Sequence, residues 1–223
     1  MKGLLMSAGI SLRIDIVSDV VCPWCIVGYL RLQQALSQVD ESIRPHIEWH
    51  PFELNPNMPS EGQNLREHIQ EKYGSTLEQS EAVREQLKSL GDELGFSFKF
   101  SPDSRIYNTF EAHQLLHWAQ PYGKQTELKL ALFDAYFSQA KDPSNRNTLL
   151  DVVESIGLGR DLAERVLVDE MYVEAVRDSQ QQWQNQNISA VPAFIFNNRY
   201  LLSGAQPVET LLQVINECTN SAS

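Results

Sequence analysis

The chain has 223 residues, 42% of them hydrophobic, and a net charge of −11, which suits one large globular domain or two small ones. Its Lys and Arg are scattered with no basic run, so a nucleic-acid surface built on phosphate contacts is excluded. No apolar stretch approaches the ~20 residues that cross a bilayer, so no membrane partner is expected.

The opening segment MKGLLMSAGISLRIDIV has an apolar run, Leu4-Leu5-Met6, too short for a secretory signal core, and Arg13 and Asp15 interrupt the apolar residues beyond it. A cytoplasmic setting is expected. Leu12, Ile14 and Ile16 alternate with Arg13, Asp15 and Val17, the period of a strand, which Ser18-Asp19 ends. Asp15 is then a charged residue in a strand running under the next motif, open to a proton-relay role or to simple edge exposure. Next comes Cys22-Pro23-Trp24-Cys25. After it Tyr29, Leu32, Leu36 and Val39 recur at helical spacing, supported by Ile26 and Leu30. Cys22 therefore falls at a helix start, with Pro23 in the first-turn position that tolerates proline. A second strand comes after the helix, with Ile47 and Trp49 alternating against His46, Glu48 and His50. Strand, CxxC, helix, strand is a parallel crossover unit, so the class is α/β.

Helix-start amides point free N–H groups and partial positive charge at Cys22, which predicts a thiol pKa lowered from about 8.5. Cys25, one turn further in, is placed to close a disulfide or resolve a mixed one. A structural zinc site would need two further ligands. No second CxxC exists, Cys218 is isolated, and only His113 and His117, spaced i, i+4, offer a pair. Three cysteines make no disulfide framework, and the redox reading prevails over a metal site. Trp24 either offers a substrate an apolar face or shields the disulfide.

From about residue 57 to 186 the pattern is helical. Val83, Leu87, Leu90 and Leu94 share one face; Leu128, Ala131, Leu132, Ala135 and Tyr136 another; Leu149, Val153 and Ile156 a third; Val173, Val176 and Trp183 a fourth. Breaks fall at Pro121-Tyr122-Gly123, Asp142-Pro143 and Gly157-Leu158-Gly159. Such helices are expected to cap the cysteines and form a partly enclosed cleft. Phe110, His113 and His117 share a face, so His113 is a candidate to look into that cleft, against the plainer role of a hydrogen-bonded core histidine. Phe52, Leu54 and Asn55 lead from the second strand toward the cap, where Pro56 and Pro59 also suit a rigid linker.

Near the C-terminus Val191-Pro192 precedes a short apolar strand, Ala193 to Phe196. A turn at Asn197-Asn198 leads to a second strand, Tyr200 to Ser203. Val208, Leu211, Leu212 and Ile215 mark a closing helix, whose face Cys218 continues as a packed thiol. Thr219 to Ser223 read as a short polar tail.

The stretches SDVVCPWCIVG, EWHPFELNP, NTFEAHQLLHWA and AVPAFIFNNRYLLSGAQP, taken in that order, resemble the DsbA-type thioredoxin superfamily and within it the FrnE-like branch of cytoplasmic oxidoreductases. The resemblance implies a thioredoxin-like fold, residues 10–56 and 187–223, interrupted by a large all-helical insertion domain, residues 57–186. It implies thiol–disulfide exchange through Cys22 and Cys25, with a cis bond at Val191-Pro192. Pro23, Trp24, Val191, Pro192 and His113 become candidates to contact substrate, a protein or small molecule bearing a disulfide or thiol. No metal or organic cofactor is expected; glutathione or a thioredoxin-type partner would recycle the pair. Glutathione-dependent isomerases of the 2-hydroxychromene-2-carboxylate type and kappa-class transferases share this architecture. They generally carry serine where Cys22 stands and an acid in the stretch aligned with Gly204-Ala205-Gln206-Pro207, which has none here. A peptide-binding, chaperone-like module is the remaining alternative.

Overall fold

The structure is a computed structural model that describes residues 9–220. The apolar run at Leu4 to Met6 and residues 221–223 of the expected tail lie outside the described residues. Strand β1 (Ile10–Ser18) is an inner strand of the sheet; helix α1 (Pro23–Leu36) carries the chain over to β2 (Ile43–Pro51). β2 runs parallel to β1 with Ile14 opposite Ile47. On the other side of β1, β5 (Ala193–Phe196) pairs antiparallel with Ile16 opposite Phe194, and β6 (Tyr200–Ser203) pairs antiparallel with β5. The order is β2-β1-β5-β6.

Strand alternation decides which side chains meet the cysteine helix. Leu12, Ile14 and Ile16 point to the face covered by α1 and α9 (Val208–Asn220) and share its core with Ile26, Leu32 and Ile215. Val17, Ala193 and Ile195 point the other way, against Trp183 and Ile188. Thr219 and Asn220 belong to α9, where the buried Thr219 hydroxyl donates to the Ile215 carbonyl at 3.0 Å, so the polar tail begins later than expected. α1 ends at Leu36 under the cap residue Ser37, leaving Val39 beyond the helix yet packed on the same core.

Between β2 and β5 lie a two-stranded pair, β3 (Gln63–Asn64) with β4 (Arg105–Ile106), and helices α2 (Leu65–Tyr73), α3 (Leu77–Leu94), α4 (Phe110–Ala119), α5 (Gln125–Phe133), α6 (Arg146–Ser155), α7 (Arg160–Val168) and α8 (Val173–Asn185). Asn64 caps α2 by accepting from the Arg66 and Glu67 amides, and Gly74 ends it in the left-handed conformation. Thr76 and Gln79 form a capping box for α3. Leu115, Leu128, Leu149 and Val153 build a second core among α4 to α7. α3 is different: its Leu87 joins Phe98 in the core of the sheet. This is the thioredoxin-like α/β fold with a helical insertion.

Candidate active site

Cys22 is the N-cap of α1, extended at φ −93° and ψ 110°, with Pro23 in the first turn. Its N–H donates to the Asp19 carbonyl at 3.3 Å, and the Cys25 N–H donates back to the Cys22 carbonyl at 3.1 Å. These two bonds wind the motif into a tight start that puts both sulfurs on one side. Cys22 is 3% exposed and Cys25 fully buried, and both thiols are free. From β5's approach loop, the Val191 carbonyl accepts from Cys22 Sγ at 3.7 Å; the Val191–Pro192 bond is cis. Gly28 makes this approach possible, because a Cβ there would sit 2.9 Å from Phe194 Cζ and 3.3 Å from Pro192 Cγ.

A buried charge cluster lies behind the thiols. Lys129 of α5 is 1% exposed, its Nζ 3.5 Å from the Ser18 carbonyl and over the rings of Trp49 (5.4 Å) and Phe133 (5.1 Å). Burial drags its pKa down to about 8, against the pull of Cys25 and of Asp19. Asp19, fully buried, accepts from the Leu54 amide at 2.7 Å and lies 3.4 Å from His113 Nε2. Although burial opposes it, the nearby His113 ring and the Leu54 amide hold the Asp19 carboxyl below its usual range.

The two thiols shift in opposite directions. Burial opposes ionisation of Cys25, but the Cys22 hydrogen bond and the Lys129 charge outweigh it and lower its pKa. Cys22 is pushed well up by the same hydrogen bond, by burial and by the charge on Cys25. The lowering expected at Cys22 therefore belongs to the pair: the first proton leaves early and the second late. Lys129 supplies much of that effect, and sequence reasoning missed it. The signal was present, a lysine inside the apolar run Leu128 to Phe133 at i+4 from Gln125, itself buried.

Cys22, Pro23, Trp24 and Val191 line one wall of a cavity of about 750 Å³. Leu54, Asn55, side chains of α2 and α3, Phe100, and Tyr136 and Phe137 also line it. The last two are turned inward by a single π-helical turn, Asp134–Ser138, that extends α5. Pro192 lies behind Val191, buried, and does not line the cavity. His113 does not line it either: its Nε2 bonds the Phe52 carbonyl at 3.0 Å, so it takes the plainer role of a hydrogen-bonded core histidine, with Asp19 close by. That bond also leaves the His113–His117 pair ill-suited to a metal. Asp15 is neither edge-exposed nor near the sulfurs; it is buried on the opposite face of β1 and held by Arg13 and His50. Asp15, Glu48 and His50 bring ligand atoms within 4.8 Å of one another, but Arg13 occupies both Asp15 oxygens. Cys218 packs in the core near Leu211 and Ile215, its pKa raised by burial.

Comparison with known proteins agrees with this geometry. A probable DsbA oxidoreductase from Streptomyces coelicolor has a similar crystal structure, with a TM-score of 0.89 and 27% identity, covering 95% of this chain and 92% of that one. The uncharacterized protein YwbO of Bacillus subtilis is 25% identical over 196 residues, 87% of this chain and 92% of the relative. The cytosolic disulfide reductase DsbM of Pseudomonas aeruginosa, solved with glutathione, shares the fold at a TM-score of 0.62 and 16% identity, over 92% of this chain and 98% of that one. No helix among the described residues is long and apolar enough to cross a membrane. The DSBA-like thioredoxin domain profile matches residues 13–216, and the chain belongs to that family.

Proposed function

We propose that the protein is a thiol–disulfide oxidoreductase that works through Cys22 and Cys25. One observation carries this: Cys22 stands at a helix N-terminus on the wall of a cavity, with Cys25 fully buried one turn behind it. In the reducing direction the Cys22 thiolate attacks a substrate disulfide, forming a Cys22–substrate disulfide and releasing one thiolate. Cys25 then attacks Cys22 Sγ, releasing the second thiolate and leaving the enzyme disulfide, so two electrons pass to the substrate. Running backward, the oxidised pair takes two electrons from a substrate dithiol. Lys129 holds a proton while the pair carries negative charge. Once the disulfide forms, the thiolate charge is gone and Asp19 is left to oppose burial, which favours release of the proton.

Trp24 and Val191 flank the approaching sulfur, Pro23 sets the helix start, and Pro192 backs Val191. His113 is reassigned from substrate contact to positioning Asp19. The recycling thiol is glutathione or a thioredoxin-type partner, the setting is the cytoplasm, and the exchange uses no metal or organic cofactor. The second thiol, Cys25, speaks against the glutathione-dependent isomerase alternative. A chaperone-like module would suppress aggregation equally well after Cys22→Ala, whereas turnover would vanish.

The test is the reduction potential of the pair, measured by equilibration in glutathione redox buffers and mass detection of trapped thiols. A reversible two-electron transition, absent in Cys25→Ser, is expected within the range of roughly −270 to −120 mV spanned by such pairs. Absence of a Cys22–Cys25 disulfide at every poise would overturn the assignment.

A further inference from the structure

The protein carries a net charge of −11, yet among the described residues lining the cavity in front of Cys22 none is Asp or Glu. The one cation there is Arg84 on α3. Its Nη2 is buried without a hydrogen-bond partner. Glu81, the acid nearest in sequence on one side, is drawn to Arg66 at 3.5 Å instead, and Glu81 and Glu85 reach Arg84 only through space.

A second unpartnered group lies on α2. His68 is 9% exposed; its Nδ1 meets Gln63 Oε1 at 2.7 Å. The Gln63 amide nitrogen donates to Glu71 at 2.6 Å, which fixes the amide so that His68 Nδ1 must donate. Nε2 is then left with a lone pair, buried and without a partner. Burial lowers the His68 pKa, which keeps the ring neutral. Elsewhere the wall is mainly apolar, with Leu54, Ile69, Val83, Leu87, Phe100 and Phe137, and its other polar side chains, among them Asn55, Gln79 and Ser80, are uncharged. At about 750 Å³ the space matches a drug-sized ligand.

Glutathione disulfide fits this poorly. It is polar along its length and carries two ammonium groups that would find no carboxylate on these walls. An unfolded polypeptide would press many backbone groups against a wall on which apolar side chains predominate. We infer that the disulfide substrate is a small molecule with an apolar, aromatic-sized body and one anionic group on the half that enters, received by Arg84 while its sulfur meets Cys22. The inference rests on the thiol–disulfide reading. In the step itself Cys22 forms a bond to the entering half and the other half leaves as thiolate. Cys25 then displaces the entering half, so the substrate gains two electrons and the enzyme dithiol supplies them.

A single-turnover test needs no further reductant. Reduced protein is mixed with 4,4′-dithiodibenzoate, its uncharged dibenzamide, glutathione disulfide or scrambled ribonuclease, and each rate is divided by that of dithiothreitol with the same probe. The benzoate is expected to be fastest after this correction. In Arg84→Gln the benzoate-to-benzamide ratio should fall about tenfold, the worth of a hydrogen bond to a charged group. Val83→Glu, at a position 43% exposed and thus safe for folding, should lower the same ratio by placing an acid in the wall. Equal corrected rates for benzoate and benzamide in the unmodified protein overturn the inference, as does faster reaction with glutathione disulfide or ribonuclease. If no probe oxidises the pair, the oxidoreductase assignment falls first and this inference with it.

Discussion

A lysine ammonium that is 1% exposed, between the rings of Trp49 and Phe133, loses several kcal/mol of hydration and must recover it from neighbouring negative charge. The Cys25 thiolate and Asp19 are those charges. The coupling runs both ways, since what the thiolate does for Lys129, Lys129 does for the thiolate. In Lys129→Met the first ionisation of the pair should therefore move up by about one pH unit or more, read as thiolate absorbance at 240 nm during a pH titration. Alkylation of the native protein near neutral pH should slow in step. An unchanged titration would mean that the helix start alone governs the thiols. Residue type and spacing made Cys22 and Cys25 legible in the sequence because their partner is local, one turn away. Lys129 and Asp19 were not, because their roles arise from α5 lying across the start of α1, a contact between distant segments.

At the scale of elements, α1 is pressed against β5, and Gly28 is a point of close approach between them. A Cβ there lies 2.9 Å from Phe194 Cζ, closer than side chains pack, so Gly28→Val must push the helix or the ring aside. The expected cost is about 1–3 kcal/mol in denaturant unfolding. Because Val191 and Pro192 sit on the displaced side, exchange should slow along with it. A variant as stable and as fast as the parent would place the contact elsewhere. Alternation gave β1, β2 and the β5–β6 hairpin, and apolar periodicity gave α1, α3, α5, α6, α8 and α9, each with one face in a core. α2 escaped for a physical reason: the segment LREHIQEKY is nearly all polar, and His68 is its one buried residue. Yet α2 supplies His68, Ile69 and Tyr73 to the cavity wall. An element that faces a cavity rather than a core has no apolar stripe to announce it.

For the molecule as a whole, stability toward acid gathers on the far face of β1. Asp15 is buried, accepts two bonds at 2.7 Å from Arg13 and meets His50 Nε2 at 2.7 Å. Burial opposes its ionisation, but these partners prevail and hold its pKa at about 2, below the ordinary value of 3.8. A depressed carboxyl contributes stability that is present above the unfolded pKa and lost as pH falls through the folded one. The contribution should be whole above about pH 4 and gone near pH 2, worth about 1–2 kcal/mol after allowing for the solvent around Arg13. Asp15→Asn should flatten the stability-against-pH curve in that window; a curve parallel to the parent's would refute the linkage. A second tie, Glu53 held by Arg177 and Gln180, fastens α8 to the loop that brings Leu54 to Asp19.

The place of β1 in the sheet also sets an order of events during synthesis. Its parallel partner β2 emerges within a few dozen residues, as Ile14 and Ile47 are near in sequence, whereas Ile16 waits for Phe194, almost a whole chain later. Cys22 and Cys25 leave the ribosome early, while Lys129 comes midway and the Val191 carbonyl near the end. A nascent chain thus exposes two ordinary thiols, slow to react at neutral pH, and the pair acquires its acidity only when α5 brings Lys129 up behind them. The acidity of the motif is thus set by a helix made well after it, so the cysteines are synthesised before the charge that activates them.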